Sequence, residues 1–329
     1  MKTIRLSLLA LCAGTQAIAE DNQVFLIDSG YYNGLYYQTA AMISALNTQP
    51  QGALPCKAGG SCGVEGVLLV NRSSHGSTEN LQRLCSGQGD SALAQSNLVY
   101  MAYQGEGAFE KAEPCKNLRA LASLYTEVLQ IAVPKDSGIQ SLSDLPGKKV
   151  GIGANHSCTH HAVQELFGAA GLSIAEIQFQ VQSVGEAAQA LKNKEIDAMI
   201  FFAGIPAPTF TGLNQELPLR FLSLQGTGID ELVKRSRTYQ TVAVKAGAYA
   251  GSEAFDSVKV RALWVATDKM DKDWAYQFTK NLWDSTYYRD WLKEMRIANA
   301  LSVETSLEGI SIPLHEGAKR YYNEIGKRF

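Results

Sequence analysis

Beyond its first twenty residues this chain has no apolar run approaching the roughly 18–20 residues that a membrane helix needs. It has no tandem repeat, no low-complexity tract and no long linker. It has no basic stripe either: 30 Lys and Arg stand against 32 Asp and Glu, for a net charge of −2. These absences exclude a helical membrane span, a repeat array and a nucleic-acid binder that works through a positive face. What remains is ordinary globular chain, 46% hydrophobic and 19% charged.

The first residues do carry an apolar run, but a short one. Lys2 and Arg5 precede apolar residues 6–13, and Ala17-Ile18-Ala19 places small residues before Glu20. That order reads as a secretory signal peptide over 1–19, cleaved near Ala19. Cys12 is not at the cleavage point, so a soluble periplasmic protein is expected rather than a lipid-anchored one. About 310 residues then remain, enough for two domains with their own cores.

Five cysteines follow the leader: Cys56, Cys62, Cys85, Cys115 and Cys158. In an oxidising compartment they are expected to pair. The flexible Lys57-Ala58-Gly59-Gly60-Ser61 loop lets Cys56 close on Cys62, which leaves Cys85 for Cys115 and Cys158 free. Four cysteines allow three connectivities, so this is one of three.

Short apolar runs alternate with amphipathic stretches along most of the chain. Strands are expected near 24–27, 67–70, 92–94, 129–133, 149–153, 179–181, 198–202 and 258–267. Helices are expected at 35–46, at 79–86 before Gly87, at 159–170 before Gly171, and at 185–193. Ser141 and Asp144 have capping-box spacing. After 267 come helices rich in Trp and Tyr: Trp274, Trp283, Tyr287, Tyr288 and Trp291. His315 reads as a surface cap on the last helix.

The alternation predicts an α/β fold of two Rossmann-like lobes with helices on both sheet faces. Residues 20–133 with 245–329 would form one lobe and 134–244 an inserted second. A ligand would sit in the cleft between them.

Several segments together resemble the TAXI-type solute receptors of TRAP transporters. They are Ser29-Gly30-Tyr31-Tyr32-Asn33-Gly34-Leu35-Tyr36-Tyr37, Gly76-Ser77-Thr78-Glu79-Asn80-Leu81, Ala94-Gln95-Ser96-Asn97 and Leu118-Arg119-Ala120-Leu121-Ala122-Ser123-Leu124-Tyr125. Ile196-Asp197-Ala198 with Ala203-Gly204-Ile205-Pro206-Ala207-Pro208 follows, then Leu307-Glu308-Gly309-Ile310-Ser311-Ile312-Pro313-Leu314-His315 with Gly317-Ala318 and Tyr321-Tyr322. Each block is short; their common order over nearly the whole chain carries the resemblance.

The resemblance implies a periplasmic-binding-protein fold of type II kind. It also implies delivery of a small carboxylate to integral-membrane TRAP transporter subunits: an amino acid such as glutamate, or a 2-oxo or dicarboxylic acid. The expected receptor is a monomer with no cofactor, no metal and no catalytic residue. Its implied ligand loop lies at Ser157, Cys158 and Thr159. Here Gly153-Ala154-Asn155-His156-Ser157-Cys158-Thr159 stands where the family has Gly-x-Pro-Gly-Ser-Gly-Thr, which implies a larger or more polar ligand or altered contacts.

The residues read by themselves agree in kind. Ser29-Gly30, Gly76-Ser77 and Ser157-Cys158-Thr159 each mark a strand exit entering a helix. Free N–H groups there suit an anion, although ordinary capping explains any one of them. Gly34, Tyr36, Ser77, Gln95, Ser157, Cys158, Thr159, Phe202 and Gly204 are the candidate ligand contacts. Tyr36 reads equally as a cleft residue or a packed aromatic, and Gln95 as a polar contact or a solvated strand end.

Two other chemistries compete. His156, Cys158, His160 and His161 fall within six residues and are of the types that bind zinc or copper. Gly59-Gly60-Ser61-Cys62-Gly63 matches G-x-S-x-G, which marks a nucleophile only on a strand–turn–helix elbow. Cys158 near His160 has no identifiable orienting partner for thiol catalysis.

Overall fold

The computed structural model describes residues 22–32, 34–155, 157–284 and 300–329. The expected signal peptide lies outside this set, as do Asn33, His156, Tyr287, Tyr288 and Trp291.

One mixed sheet runs through the molecule. Its first half holds β1 (Gln23–Asp28), β2 (Thr48–Gln49), β3 (Val64–Glu65), β4 (Val67–Arg72) and β5 (Ser91–Gln95). The connecting helices are α1 (Leu35–Asn47) and α2 (Ser77–Cys85). β1 pairs in parallel with β4 and β5, the pattern that crossover helices impose. α3 (Ser96–Gln104) starts directly where β5 ends.

Two long strands then join the halves. β6 (Leu118–Pro134) and β12 (Phe255–Thr267) run antiparallel through the sheet centre. β6 has 17 residues, and all are buried except half-buried Arg119 and Thr126. A strand covered on both faces must be apolar almost continuously, and this one is. Register shifts at Arg261/Leu263 and Trp264/Val265 mark irregularities in β12 where it passes from one half to the other.

The second half contains β7 (Lys149–Gly151), α4 (Cys158–Ala169), β8 (Gln178–Gln180), α5 (Val184–Lys192) and β9 (Ala198–Ala203). α6 (Pro208–Glu216), β10 (Leu219–Leu222), α7 (Thr227–Arg235) and β11 (Gln240–Val244) follow. The strand order is β3-β2-β4-β1-β5-β12-β6-β9-β7-β8, with β10 on β6 and β11 on β12. Helices α8 (Lys272–Asp284) and α9 (Glu316–Glu324) return to the first half, where Trp283 Nε1 donates to the Tyr322 hydroxyl at 3.0 Å.

Each half has its own aromatic core. In the first, Phe25 meets Trp274 edge-on at 4.6 Å and Trp264 stacks near Phe278. In the second, Phe221 stacks on Tyr249 and Phe255. The architecture is the expected two-lobed α/β fold.

Several local expectations are met. Ser141 and Asp144 form a capping box. Cys85 is bonded to Cys115, and Cys62 is also disulfide-bonded; the Cys56 side chain lies outside the described residues. Among the described residues no helix is long and apolar enough to cross a membrane.

Others are corrected. His315 does cap α9, accepting from Gly317 N–H at 3.2 Å, but it is buried, with Nε2 3.0 Å from the Met270 carbonyl oxygen. The helices α3, α6 and α7 had no separate expectation. α3 has no turn residue before it, and α6 and α7 are nine-residue segments broken by Gly212 and Gly228, too short for a clear period.

Candidate functional site

Strand exits bring the site together. β1 ends at Asp28, which is fully buried and accepts from Arg72 at 2.7 Å and Arg83 at 3.0 Å. Asn80, fully buried on α2, donates to the carbonyls of Ser29 at 2.5 Å and Leu93 at 2.7 Å. These bonds hold the Gly30 turn against β5. Opposite, β7 leads through Gly153 to the start of α4. Gly153 has φ +84°, and a Cβ there would fall 2.6 Å from the Ser157 hydroxyl, so a side chain would be both strained and crowded.

Between these turns lies a cavity with about 100 Å3 open to the centres of water molecules. One wall comes from Gly30, Tyr31, Gly34, Leu35, Tyr36 and residues 74–76. The other comes from residues around Ser157, from Ser183, Val184 and Ala187 at the α5 start, and from β9. Glu127 of β6 lies at its base, at the point where the long strand passes between the halves.

The Glu127 carboxylate is the only acid lining the cavity among the described residues, and no Lys or Arg lines it. Its Oε2 accepts from Gln95 Nε2 at 2.7 Å and from the Tyr36 hydroxyl at 3.1 Å. Burial raises its pKa to about 7, against the opposing pull of those two donors. Burial and the neighbouring Glu127 charge push the Tyr36 phenol well above its ordinary range. The Cys158 thiol is pushed to about 12, by burial first and Glu127 second.

Of the nine candidate contacts, Gly34, Tyr36, Ser157, Cys158, Thr159 and Phe202 line the cavity. Ser77, Gln95 and Gly204 do not. Ser77 stands behind Tyr36, its Oγ 3.3 Å from the phenol oxygen and accepting from Gln95 N–H at 3.1 Å. Gln95 is wholly buried and holds Glu127, so it is not a solvated strand end. Gly204 lies where the halves approach: a Cβ there would be 2.6 Å from Leu35 Cδ1.

Within the lining set, Ser157 caps α4 by accepting from His160 N–H at 3.2 Å. Thr159 Oγ1 accepts from Phe202 N–H at 3.0 Å and ties α4 to β9. Each hydroxyl oxygen is thereby used as an acceptor and keeps its own proton to donate, so α4 can offer a ligand these O–H groups together with the N–H groups of its first turn.

Glu127 and Tyr31 were not among the sequence candidates. Glu127 left a trace: it is the lone acid in the apolar run from 120 to 134, where a buried carboxylate needs a reason. Tyr31 left none, because its contact with the α5 start joins residues far apart in sequence; a Cβ on Gly185 would lie 2.8 Å from its hydroxyl.

Among the described residues the competing chemistries lack their geometry. Among the described residues no three His, Cys, Asp or Glu side chains are grouped to hold a metal, and His156 lies outside them. The Cys158 sulfur instead faces the Phe202 carbonyl at 3.9 Å. Residues 59–63 lie between a 3-10 turn (Cys56–Ala58) and β3, with no helix after them, so G-x-S-x-G here is not a nucleophile elbow.

Solved structures share this architecture at low identity. A Bordetella bronchiseptica RB50 protein is 16% identical with a TM-score of 0.50, over 89% of this chain and 83% of its own. The ligand-binding component of an ABC-type import system from Staphylococcus aureus, with zinc bound, is 14% identical with a TM-score of 0.50, over 92% of each chain. The likeness is one of fold. The sequence supplies the relationship: the model of the NMT1-like family matches residues 27–326, from within β1 to beyond α9 and across both walls of the cavity, and the chain belongs to that family.

Proposed function

We propose that this chain is an extracytoplasmic solute receptor that closes its lobes on a small carboxylate and presents the closed form to an integral-membrane transporter. The carrying observation is the cavity itself, bounded on one side by the β1 exit and Gly76 and on the other by the start of α4. The first N–H groups of α4 have no intrahelical acceptor, and the positive end of its dipole favours an anion. The contacts are Gly34, Tyr36, Ser157, Cys158, Thr159 and Phe202, with Ser77, Gln95 and Gly204 supporting them. Residues 20–133 with 245–329, apart from the Tyr249–Phe255 stretch that packs on Phe221 with the second lobe, move against 134–244 about β6 and β12. Export by the 1–19 leader puts the mature monomer in the periplasm.

The TAXI-like blocks favour a TRAP partner. The Staphylococcus aureus neighbour belongs to an ABC-type import system, so the transporter class needs its own test. A thermal-shift panel of amino acids, 2-oxoacids and dicarboxylates tests ligand binding, because a ligand raises Tm by mass action. A hit should also compact the protein in solution scattering. A panel without any hit would count against the reading. Uptake of the hit that stops when the ion gradient is collapsed supports TRAP; uptake driven by ATP alone supports the ABC class.

A further inference from the structure

We infer that the solute is a zwitterionic amino acid with a short apolar side chain, its ammonium held by Glu127 and its carboxylate by the first turn of α4. This rests on the receptor reading and narrows its ligand.

The charges in the cavity decide the polarity. Glu127 is buried, lines the cavity, and receives both of its hydrogen bonds on Oε2. Its Oε1 is the acceptor left for a ligand donor. An ammonium supplies three donors and the opposite charge. No Lys or Arg is among the described lining residues, and the lining His75 is engaged by Glu79 at 2.7 Å, so a dicarboxylate would set its second charge against Glu127 or against apolar walls. A 2-oxoacid would offer only a carbonyl oxygen, which cannot donate to a carboxylate.

The walls decide the side chain. Leu35, Val184, Ala187, Met199, Ile200 and Phe201 surround the remaining space. A short apolar side chain would lie against those walls without exposing or burying a polar group. Glutamate's distal carboxylate would be buried without a partner.

Calorimetry on the mature protein at pH 8 tests this with L-alanine and L-valine, pyruvate and 2-oxoisovalerate, and L-glutamate, succinate and 2-oxoglutarate. The expected result is that one of the two amino acids binds at least tenfold tighter than its 2-oxo analogue and than every dicarboxylate. In Glu127→Gln, which keeps an acceptor for Tyr36 and Gln95, that preference should fall at least tenfold. Oxoacid or dicarboxylate binding as tight as the amino acid's would overturn the inference and leave the receptor reading standing. Absence of any binding would overturn both. The wild-type comparison decides by itself if the variant does not fold.

Discussion

Gln95 donates through Nε2 to Glu127 Oε2 at 2.7 Å, across 32 residues of sequence and at the base of the cavity. One residue ends β5 in the first lobe; the other lies on the strand shared by both. A polar pair so deeply buried is worth holding only with its bonds made, and it fixes where the cavity can accept a donor.

Stability should fall with rising pH through Glu127. Its folded pKa of about 7 lies above the ordinary 4.5, so the folded state holds the proton more tightly. The contribution is full below pH 4.5 and lost as pH rises through 7. The facing groups Tyr36, Tyr125 and Cys158 are all pushed upward and stay neutral over that window. Between pH 4.5 and 8 the wild type should lose up to about 3 kcal/mol relative to Glu127→Gln. Chemical denaturation of the ligand-free proteins at both pH values measures it; a constant difference would refute the assignment.

Gly204→Val should weaken ligand binding more than it weakens the fold. The added Cβ would start 2.6 Å from Leu35 Cδ1, across the approach of the lobes. An opened cleft relieves the clash, so Kd should rise about tenfold or more, equivalent to about 1.4 kcal/mol. Scattering should show a more expanded protein at saturating ligand. Unchanged affinity would mean that Leu35 simply turns aside.

Removal of the Cys85–Cys115 bond should be costly. It closes a separation of 30 residues, for which loop entropy suggests about 3–4 kcal/mol. Urea unfolding of the double Ser variant checks the value. A loss below about 1 kcal/mol would show that the α2–α3 region is already constrained in the unfolded chain.

Cys158 should resist alkylation in the native protein. Its thiol is buried and pushed to about 12, so almost no thiolate exists at pH 8. Iodoacetamide labelling followed by mass spectrometry should show modification only after denaturant is added. Rapid native labelling would mean that the α4 start opens far more than the cavity geometry implies.

Much was legible along the chain because the signals are local. Alternating apolar runs located most strands, since each must cover one or both sheet faces. The loop at 157–159 was legible because an N-cap hydroxyl followed by a helix leaves a signature within four residues. Ser77 and Gln95 were placed in the right neighbourhood but one layer too near the cavity. Sequence marks a polar strand end without saying which neighbour consumes it. Glu127 adds a buried acid to a cleft whose helix starts suit an anion, and its partners Gln95 and Tyr36 come from two other elements.

The sequence by itself determined the α/β alternation and the α4 start, because periodicity and capping are properties of short segments; it left Cys85–Cys115 as one of three pairings, which the structure selected. Only the tertiary structure decided that Glu127 meets Gln95 and Tyr36, that Gly204 is a point of close approach and that Tyr31 reaches the α5 start. Those relations depend on how β6 and β12 set one lobe against the other, and no local pattern encodes the distance between two segments that touch only when both lobes have folded.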